Sequence, residues 1–420
     1  MKIFTGFQYL LIDVANHYGL DKLTFEERIQ WAEDHLGNLE NMAVDAEAKP
    51  LFLKACMAIR EAQAGLASGH MVAMDAVCSG IQIMSALTGC ENGARATGMV
   101  DPDRRADAYT EVTNATNNRL QTAGLSGVSL PRKDVKYAVM TSVYGSKAVP
   151  KRLFGEDTPE LECFYQGCFD VAPGAFELLN ELLETWEPYA LSHEWVLPDN
   201  FHAKVKVMEV IEKEGIEIDE LNHHTFTYQY RVNQGQEKGL SNVANVVHSI
   251  DAYVLRSLVR RCDYDPEQVE QVQQVITTEL LYRSMYQATQ KNGPLVDNPE
   301  LLTYVRRFNC THMADVVILP LLDEYTVTGL DSNHLRALNQ VLCQMLDRAP
   351  CHVITVHDSF AGHPNHVDTI RYWYRELMAE LAESTILDDI FHQLVGQTGT
   401  YVKKSKGLAT KIRQSNYALC

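Results

Sequence analysis

The chain has 420 residues, 46% of them hydrophobic, which suits one large or two medium globular domains with a real core. No apolar run reaches the roughly 18 residues that a membrane span needs, and Asp13 interrupts the apolar N-terminal segment, so we expect neither a membrane protein nor a signal peptide. Ten cysteines without a C-x-x-C pair argue against a disulfide framework and predict reduced thiols and a cytoplasmic location.

The net charge of −18 opposes broad contact with nucleic acid, because phosphate binding requires Lys and Arg. Positive charge is nevertheless segregated into three stretches of the sequence. Any one such cluster is more often a solvated face than a binding site. The three clusters are Arg132, Lys133, Lys136, Lys147, Lys151 and Arg152; Arg256, Arg260 and Arg261; and Lys403, Lys404, Lys406, Lys411 and Arg413.

The predicted elements are mainly helices with recognisable start and stop signals. Thr24 and Glu27 form a capping box, and Asp101-Pro102 has the N-cap and first-turn residues of a long helix. In chain order, helices are predicted over residues 7–18, 24–36, 50–66, 78–89, from 101 onward, 133–143, 268–290, 334–348 and 366–385. Two short strands, 71–75 and the one that opens 351–360, are each expected to end in an Asp, so the fold class is a helix-dominated α/β fold of the α+β type.

Those two residues, Asp75 and Asp358, have a possible chemical role. An Asp at the end of a buried strand is held rigidly at the edge of a cleft. Two such carboxylates can hold a pair of Mg²⁺ ions roughly 3.5–4 Å apart for phosphoryl transfer. Spacing alone does not establish this metal-binding role, because an Asp in such a position more often only caps the helix or turn that follows it.

Three sequence motifs, which follow one another along the chain, favour the metal-binding role over the capping role. MDAVCSGIQIMSA, RKDVKYAVMTSVYGSK and VHDSF resemble motifs A, B and C of the single-subunit RNA polymerases of bacteriophages and mitochondria. NGARA (92–96) and the DAY at 107–109 also resemble this family. The resemblance begins near Phe7 and continues to SNYALC, which resembles the family's aromatic C-terminal tail.

The resemblance implies a metal site and a triphosphate site. Asp75 and Asp358 would hold two Mg²⁺ ions, with the backbone carbonyl of Ala76 as a further ligand. Arg132 and Lys136 would face the incoming triphosphate, and Lys136 is also a candidate proton donor to the pyrophosphate leaving group. Residues i and i+4 share one helix face, which agrees with this role.

The resemblance also implies residues that read the sugar. Tyr144 would sense the ribose 2′-OH, Gly145 would let the template backbone pass closely, and His248 would lie near Tyr144. A 2′-OH both donates and accepts hydrogen bonds, so Tyr and His suit it. The stretch LDSNHLRAL (330–338) is a rival for the histidine segment, and Tyr144 and His248 could instead be ordinary interior residues.

The domain division implied by the resemblance is that of a right-hand polymerase without its N-terminal domain. The predicted parts are palm with motif A over 1–91, fingers with motif B over 92–247, a palm helix over 248–261, an insertion over 262–330, and palm with motif C and the C-terminal tail over 331–420.

The resemblance implies that the chain carries out DNA-templated RNA synthesis from ribonucleoside triphosphates as the catalytic subunit of a phage transcription enzyme, which if viral would act in the bacterial host cytoplasm. The family's Gly-Arg element has no counterpart here, because the sequence contains no Gly-Arg dipeptide. We therefore expect a second polypeptide that supplies this element and an N-terminal domain, as in split, two-chain phage polymerases, and we consider a promoter-recruiting or single-stranded-DNA-binding factor as a further partner. The alternatives are a related DNA polymerase and a non-catalytic scaffold subunit.

Overall fold

A computed structural model of the chain describes residues 1–125, 127–208, 210–235, 239, 241–285 and 298–420. Helices dominate, and the strands form small antiparallel sheets, so the expected α+β class is confirmed. The helices are α1 Gly6–Ala15, α2 Phe25–Asp34, α3 Lys49–Gln63, α4 Ser79–Thr88, α5 Glu91–Ala96, α6 Ala108–Thr122, α7 Arg132–Ser142, α8 Ala148–Phe154, α9 Pro159–Val171, α10 Pro173–Glu184, α11 Ser241–Cys262, α12 Pro266–Met285, α13 Pro299–Thr311, α14 Ser332–Leu346, α15 Val367–Glu383, α16 Ile386–Val395 and α17 Leu408–Gln414.

The strands are β1 Val72–Asp75, β2 Ser192–Val196, β3 His202–Lys206, β4 Val210–Ile218, β5 His224–Val232, β6 Val353–Val356 and β7 Ser359–Gly362. They form one three-stranded sheet, ordered β1-β7-β6, and two two-stranded hairpins, β2-β3 and β4-β5. Helical turns of other types lie at Asn16–Leu20, Leu39–Val44, Asp219–Leu221, Val316–Leu321, Thr326–Gly329 and Pro364–His366.

Capping residues in the sequence predicted most helix ends correctly but gave the wrong start for one helix. The Thr24–Glu27 capping box is formed, with the Thr24 hydroxyl accepting from the Glu27 N–H. The helix expected from Asp101 does not start there, and this prediction was wrong. The helix α6 begins at Ala108 because Asp107 caps it, its carboxylate accepting from the backbone N–H groups of Tyr109 and Thr110.

The three-stranded sheet joins distant parts of the chain. Strand β1 pairs antiparallel with β7, with Asp75 opposite Ser359, and β7 pairs with β6. The turn between β6 and β7 consists of His357 and Asp358, and His357 has a left-handed φ of 55°. Asp358 therefore lies in the hairpin turn and not at a strand end, which corrects the sequence prediction.

Residues near 420 complete this sheet on its other side. Ala76 forms a β-bridge with Leu419, and the Cys420 N–H donates to the Asp75 carbonyl at 3.0 Å. Buried Gln82 on α4 donates to the Ala418 carbonyl at 2.8 Å. The backbone around Asp75 is thus held between the β6-β7 hairpin and residues 418–420.

Helix α11 runs without interruption through the buried centre of the fold. Its residue Arg261 is fully buried and forms a two-pronged ion pair with Glu380 on α15, at 2.6 and 2.7 Å. The predicted division between residues 247 and 248 falls within this helix. Within the predicted insertion, Gln273 on α12 donates to Asn339 on α14 at 3.3 Å, so this segment packs on the residues that follow it. The domain division remains a prediction.

All ten cysteines are free, and seven are buried. In the described ranges, none of the helices combines the length and the apolar character that crossing a membrane requires.

Candidate active site

The two predicted metal ligands come together at one end of the three-stranded sheet. Asp75 is the last residue of β1, and Asp358 lies in the turn that leads into the neighbouring strand β7. The Ala76 N–H donates to the Asp358 carbonyl at 3.0 Å, so Asp358 lies directly across from the residue that follows Asp75. Although 283 positions separate the two aspartates in the sequence, they are neighbours in the sheet.

Neither carboxylate is neutralised by a neighbouring cation. Across the described residues, no hydrogen bond or ion pair reaches the side chain of Asp75 or Asp358. A third carboxylate, Asp251 on α11, lies nearby, and burial together with the charge of Asp358 raises its pKa to about 6. The site therefore gathers negative charge that no described side chain offsets, which a divalent cation would stabilise.

Tyr144 and His248 form a stacked pair beside this carboxylate group. Their ring centroids lie 4.5 Å apart and their planes are inclined by 15°. The Tyr144 side chain also hydrogen-bonds Ser79, and burial raises the pKa of its phenol above the ordinary value. The pKa of His248 is lowered by desolvation and by the charge of His357, so the ring is neutral at physiological pH.

A small residue beneath Tyr144 permits this arrangement. A Cβ atom added to Gly80, in the first turn of α4, would lie 3.0 Å from the Tyr144 hydroxyl oxygen. That is closer than an ordinary van der Waals contact. The tyrosine therefore approaches the α4 backbone because position 80 has no side chain.

Helix α7 carries the two predicted triphosphate ligands on one face. The Arg132 guanidinium binds the Asp107 carboxylate at 2.5 and 3.1 Å and the Thr110 hydroxyl at 2.9 Å. The Lys136 ammonium lies 5.4 Å from the centre of the Tyr109 ring. Both cations thus lie against the start of α6, which positions them without burying either charge fully.

Tyr109 connects this cationic face to the carboxylates. It shares a hydrogen bond with the Cys78 side chain, and burial together with Cys78 and Asp358 raises its pKa. Burial likewise raises the pKa of the Cys78 thiol to about 11, so this sulfur is a neutral packing group and not a nucleophile. Cys78 has a left-handed φ of 58° immediately before α4.

Gly145 follows the stacked tyrosine at the end of α7. It is buried and has a φ of 87°, a backbone conformation that glycine adopts without strain. Its N–H donates to the Ser142 carbonyl at 2.9 Å. A glycine is required here by the backbone itself, whether or not a template strand passes over it.

The structure separates the two candidate histidine segments. His334 is 2% exposed and stacks on Phe308 at a centroid distance of 4.0 Å, so it is a core histidine. His248 is the histidine that contacts Tyr144.

Sequence reasoning missed three side chains of the site. Asp107 and Tyr109 lie in a segment whose resemblance was noted without a role, and Asp251 lies one helical turn after His248. The i+3 spacing of His248 and Asp251 on a helix was the available signal.

A different group of potential metal ligands lies elsewhere. Glu217, Asp219 and His223 bring ligand atoms within 4.8 Å of one another at the β4-β5 turn, and all three are exposed. Of the residues described, these form the closest three-residue acidic and histidine group, but exposed groups of this kind are common without an ion. We base the candidate site on Asp75 and Asp358.

Comparison with known proteins agrees with this geometry. A model of the DNA-dependent RNA polymerase family matches residues 4–156, the segment that contains Asp75, Arg132, Lys136, Tyr144 and Gly145. This segment is just over a third of the chain, and over it the chain is similar to DNA-directed RNA polymerases of phages and mitochondria. His248 and Asp358 lie outside the matched segment, and the fold brings both of them to it.

Curated relatives cover the same region. The mitochondrial DNA-directed RNA polymerase 1 of Arabidopsis thaliana is 30% identical over 219 residues, which are 43% of this chain and 22% of that protein. The DNA-directed RNA polymerase of Pseudomonas phage phiKMV is 28% identical over 172 residues, 34% of this chain and 21% of that protein. The mitochondrial enzyme of Neurospora crassa is 29% identical over 173 residues, 35% and 12% of the two chains. The matches thus span about a fifth or less of the length of these relatives.

Proposed function

We propose that this chain catalyses DNA-templated RNA synthesis by two-metal nucleotidyl transfer from ribonucleoside triphosphates. The observation that carries the proposal is the position of Asp358 beside Asp75. One residue lies inside the segment that matches the polymerase family and the other lies outside it, yet they are neighbours in the sheet, and no Lys or Arg among the described residues pairs with either carboxylate.

The donor set fits Mg²⁺. Asp75 and Asp358 offer carboxylate oxygens, the ligands that hard divalent cations prefer, and the proposal adds the carbonyl of Ala76. Two Mg²⁺ ions, when bound, activate the attacking 3′ oxygen and neutralise charge on the reacting phosphate and its leaving group. The pKa of Asp251 is raised first by burial and then by the charge of Asp358, and a bound cation would offset that charge.

The chain's own residues bind and orient the triphosphate. Arg132 and Lys136 project from one face of α7, and two positive groups on one side of a cleft suit a polyphosphate. Asp107 fixes the Arg132 guanidinium from one side and leaves its remaining N–H groups available to a phosphate oxygen. Lys136 is the proposed donor of a proton to the departing pyrophosphate.

The stacked rings of Tyr144 and His248 are proposed to contact the ribose of the incoming nucleotide. We assign to Tyr144 and His248 the reading of the ribose 2′-OH, since a phenol and a neutral imidazole both donate and accept hydrogen bonds. The stretch CSGIQ after Asp75 lacks the bulky residue that related DNA polymerases usually place there, which supports a ribonucleotide substrate over a deoxyribonucleotide.

The expected second polypeptide stays a prediction, as does a promoter-recruiting or single-stranded-DNA-binding factor.

The test combines a binding measurement with a rate measurement. Mn²⁺ binding followed by electron paramagnetic resonance is expected to weaken in Asp75→Asn and in Asp358→Asn, while Asp347→Asn, at the exposed end of α14, keeps wild-type affinity. On a primed single-stranded template with Mg²⁺, NTP incorporation is expected to fall at least about a hundredfold in both site variants. Wild-type Mn²⁺ affinity and wild-type incorporation in Asp358→Asn would refute the proposal and favour a scaffold subunit.

The same assay distinguishes ribonucleotides from deoxyribonucleotides as the substrate. Incorporation of dNTPs at a rate equal to or above that of NTPs would replace the RNA polymerase assignment with the DNA polymerase alternative.

A further inference from the structure

The hairpin β4-β5 is an uncovered surface with a distinct composition. Nine residues of β4 pair with nine of β5, from Val210 opposite Val232 to Ile218 opposite His224. None of the residues in either strand is buried. A two-stranded hairpin exposed on both faces is at best marginally stable in water on its own. This length of exposed hairpin therefore points to a partner.

Its two faces differ. Side chains alternate between the faces of a strand, so the register places Ile216 and Phe226 opposite each other on one face, next to Tyr228 and Tyr230. The two tyrosine rings stack at a centroid distance of 5.7 Å, and each residue is 39% exposed. Phe226 is 50% exposed. This aromatic face is a contiguous apolar patch of the kind that marks an interaction site.

Carboxylates accompany the aromatic rings on the same face. The Tyr228 hydroxyl donates to Glu214 at 2.6 Å, and the Tyr230 hydroxyl donates to Glu212 at 2.9 Å. Each of these carboxylates has a second oxygen to offer. The aromatic face thus combines an apolar centre with two fixed negative groups along its side.

The charge of the hairpin decides which class of partner fits. Residues 210–232 contain five carboxylates and only two cations, Lys213 and Arg231. Such a ribbon repels the phosphate backbone, whose binding depends on neutralisation by Lys and Arg. A second copy of this chain would bring the same negative groups and a further net charge of −18. A positively charged partner is complementary to both features.

We propose that the aromatic face of β4-β5 is a docking surface for a basic protein segment that is amphipathic, with apolar side chains flanked by Lys or Arg. The apolar side chains would cover Phe226, Tyr228 and Tyr230, and the cations would pair with Glu212 and Glu214. The inference goes beyond the proposed polymerase activity and does not rest on it, since no residue of the hairpin belongs to the site at Asp75 and Asp358.

The experiment uses the full chain and a defined probe. A fluorescent 18-residue peptide of leucine and lysine in helical amphipathic order is titrated with the protein, and its anisotropy is measured at about 0.1 M salt. A matched peptide with glutamate in place of lysine, and a 20-base-pair DNA duplex, are titrated in the same way. We expect the lysine peptide to bind at least about tenfold more tightly than either of the others.

Variants on the two faces provide the control. Glu214→Lys and the double variant Phe226→Ser, Tyr228→Ser are each expected to weaken peptide binding at least about tenfold. Glu217→Lys makes the same charge change on the opposite face, where Glu217 lies 2.8 Å from His223, and is expected to change the affinity by less than about twofold.

Three results would overturn the inference. They are the absence of peptide binding, equal weakening by Glu214→Lys and Glu217→Lys, and DNA binding that is tighter than peptide binding and is lost in the double serine variant. The last would assign the aromatic face to nucleic acid. Circular dichroism of each variant verifies that the fold is retained, which is expected because the replaced side chains are exposed.

Discussion

The imidazole of His248 stacks on the phenol of Tyr144, 4.5 Å away and 15° from parallel. The stack joins the end of α7 to α11, and therefore joins the helix that carries Arg132 and Lys136 to the helix that carries Asp251.

The Tyr144 hydroxyl is predicted to determine sugar selectivity. Tyr144→Phe keeps the ring that stacks on His248 and removes only the hydroxyl, so NTP incorporation should stay within a few-fold of wild type. The ratio of NTP to dNTP incorporation should fall by about tenfold, the value of one hydrogen bond of about 1.4 kcal/mol. The measurement is kcat/KM for each nucleotide on one primed template. An unchanged ratio would remove Tyr144 from sugar recognition.

Gly80 is predicted to be intolerant of a single methyl group. In Gly80→Ala the new Cβ would lie 3.0 Å from the Tyr144 hydroxyl oxygen, so the ring must shift and sugar selectivity should fall as in Tyr144→Phe. Gly69→Ala is the matched control, because a Cβ there meets no atom within 4 Å. Comparing kcat/KM ratios for the two alanine variants tests this point. Equal behaviour of the two variants contradicts the packing argument.

His334 is predicted to make stability depend on pH. Burial lowers its pKa to about 4, below the value near 6.5 of an unfolded histidine. The unfolded chain therefore binds more protons between these values, and the contribution of His334, about 3 kcal/mol, is present above pH 6.5 and is lost as the pH falls towards 4. His334→Gln should show a smaller fall in Tm between pH 6.5 and 4.5 than wild type.

The control for this pH experiment is His202→Gln, which replaces an exposed histidine on β3 and should retain the wild-type dependence. If His334→Gln loses as much Tm on acidification as wild type, the buried histidine is not the acid-labile group.

The Arg261–Glu380 pair is predicted to be essential to the core. Arg261 is fully buried, and Arg261→Met leaves the Glu380 carboxylate without its partner, which should lower the free energy of unfolding by about 3–5 kcal/mol. Arg119→Met breaks a two-pronged pair with Asp170 of similar geometry, at 2.6 and 2.7 Å, but on the surface, and should cost at most about 1 kcal/mol. Thermal unfolding of both variants gives the comparison, and equal losses would show that burial of the pair is irrelevant.

The sequence predicted the parts of this molecule that local chemistry determines. Capping residues located α2 because Thr24 and Glu27 lie three residues apart and each side chain accepts a hydrogen bond from the other's backbone N–H. The motif residues located Asp75, Tyr144 and Asp358, and they led to a correct preference for His248 over the buried His334 as the neighbour of Tyr144.

Long-range partners could not be predicted in this way. Asp101-Pro102 has the residues of a helix start, but α6 starts at Asp107, whose carboxylate caps the helix and also binds Arg132 on α7. That second contact depends on how two helices pack, and nothing near Asp107 in the sequence specifies it. The same holds for Asp251, whose pKa is raised by burial among packed helices and by the charge of Asp358 at the tip of a distant hairpin.

The pairing of Asp75 and Ala76 with Leu419 and Cys420 has a consequence for biosynthesis. Gln82, a few residues beyond Asp75, bonds to Ala418 across 336 positions of sequence. During translation the motif A strand therefore emerges from the ribosome long before the segment that closes the sheet beside it. The backbone around Asp75 is completed only once that last segment folds back, so a prematurely terminated chain is expected to lack an ordered site altogether.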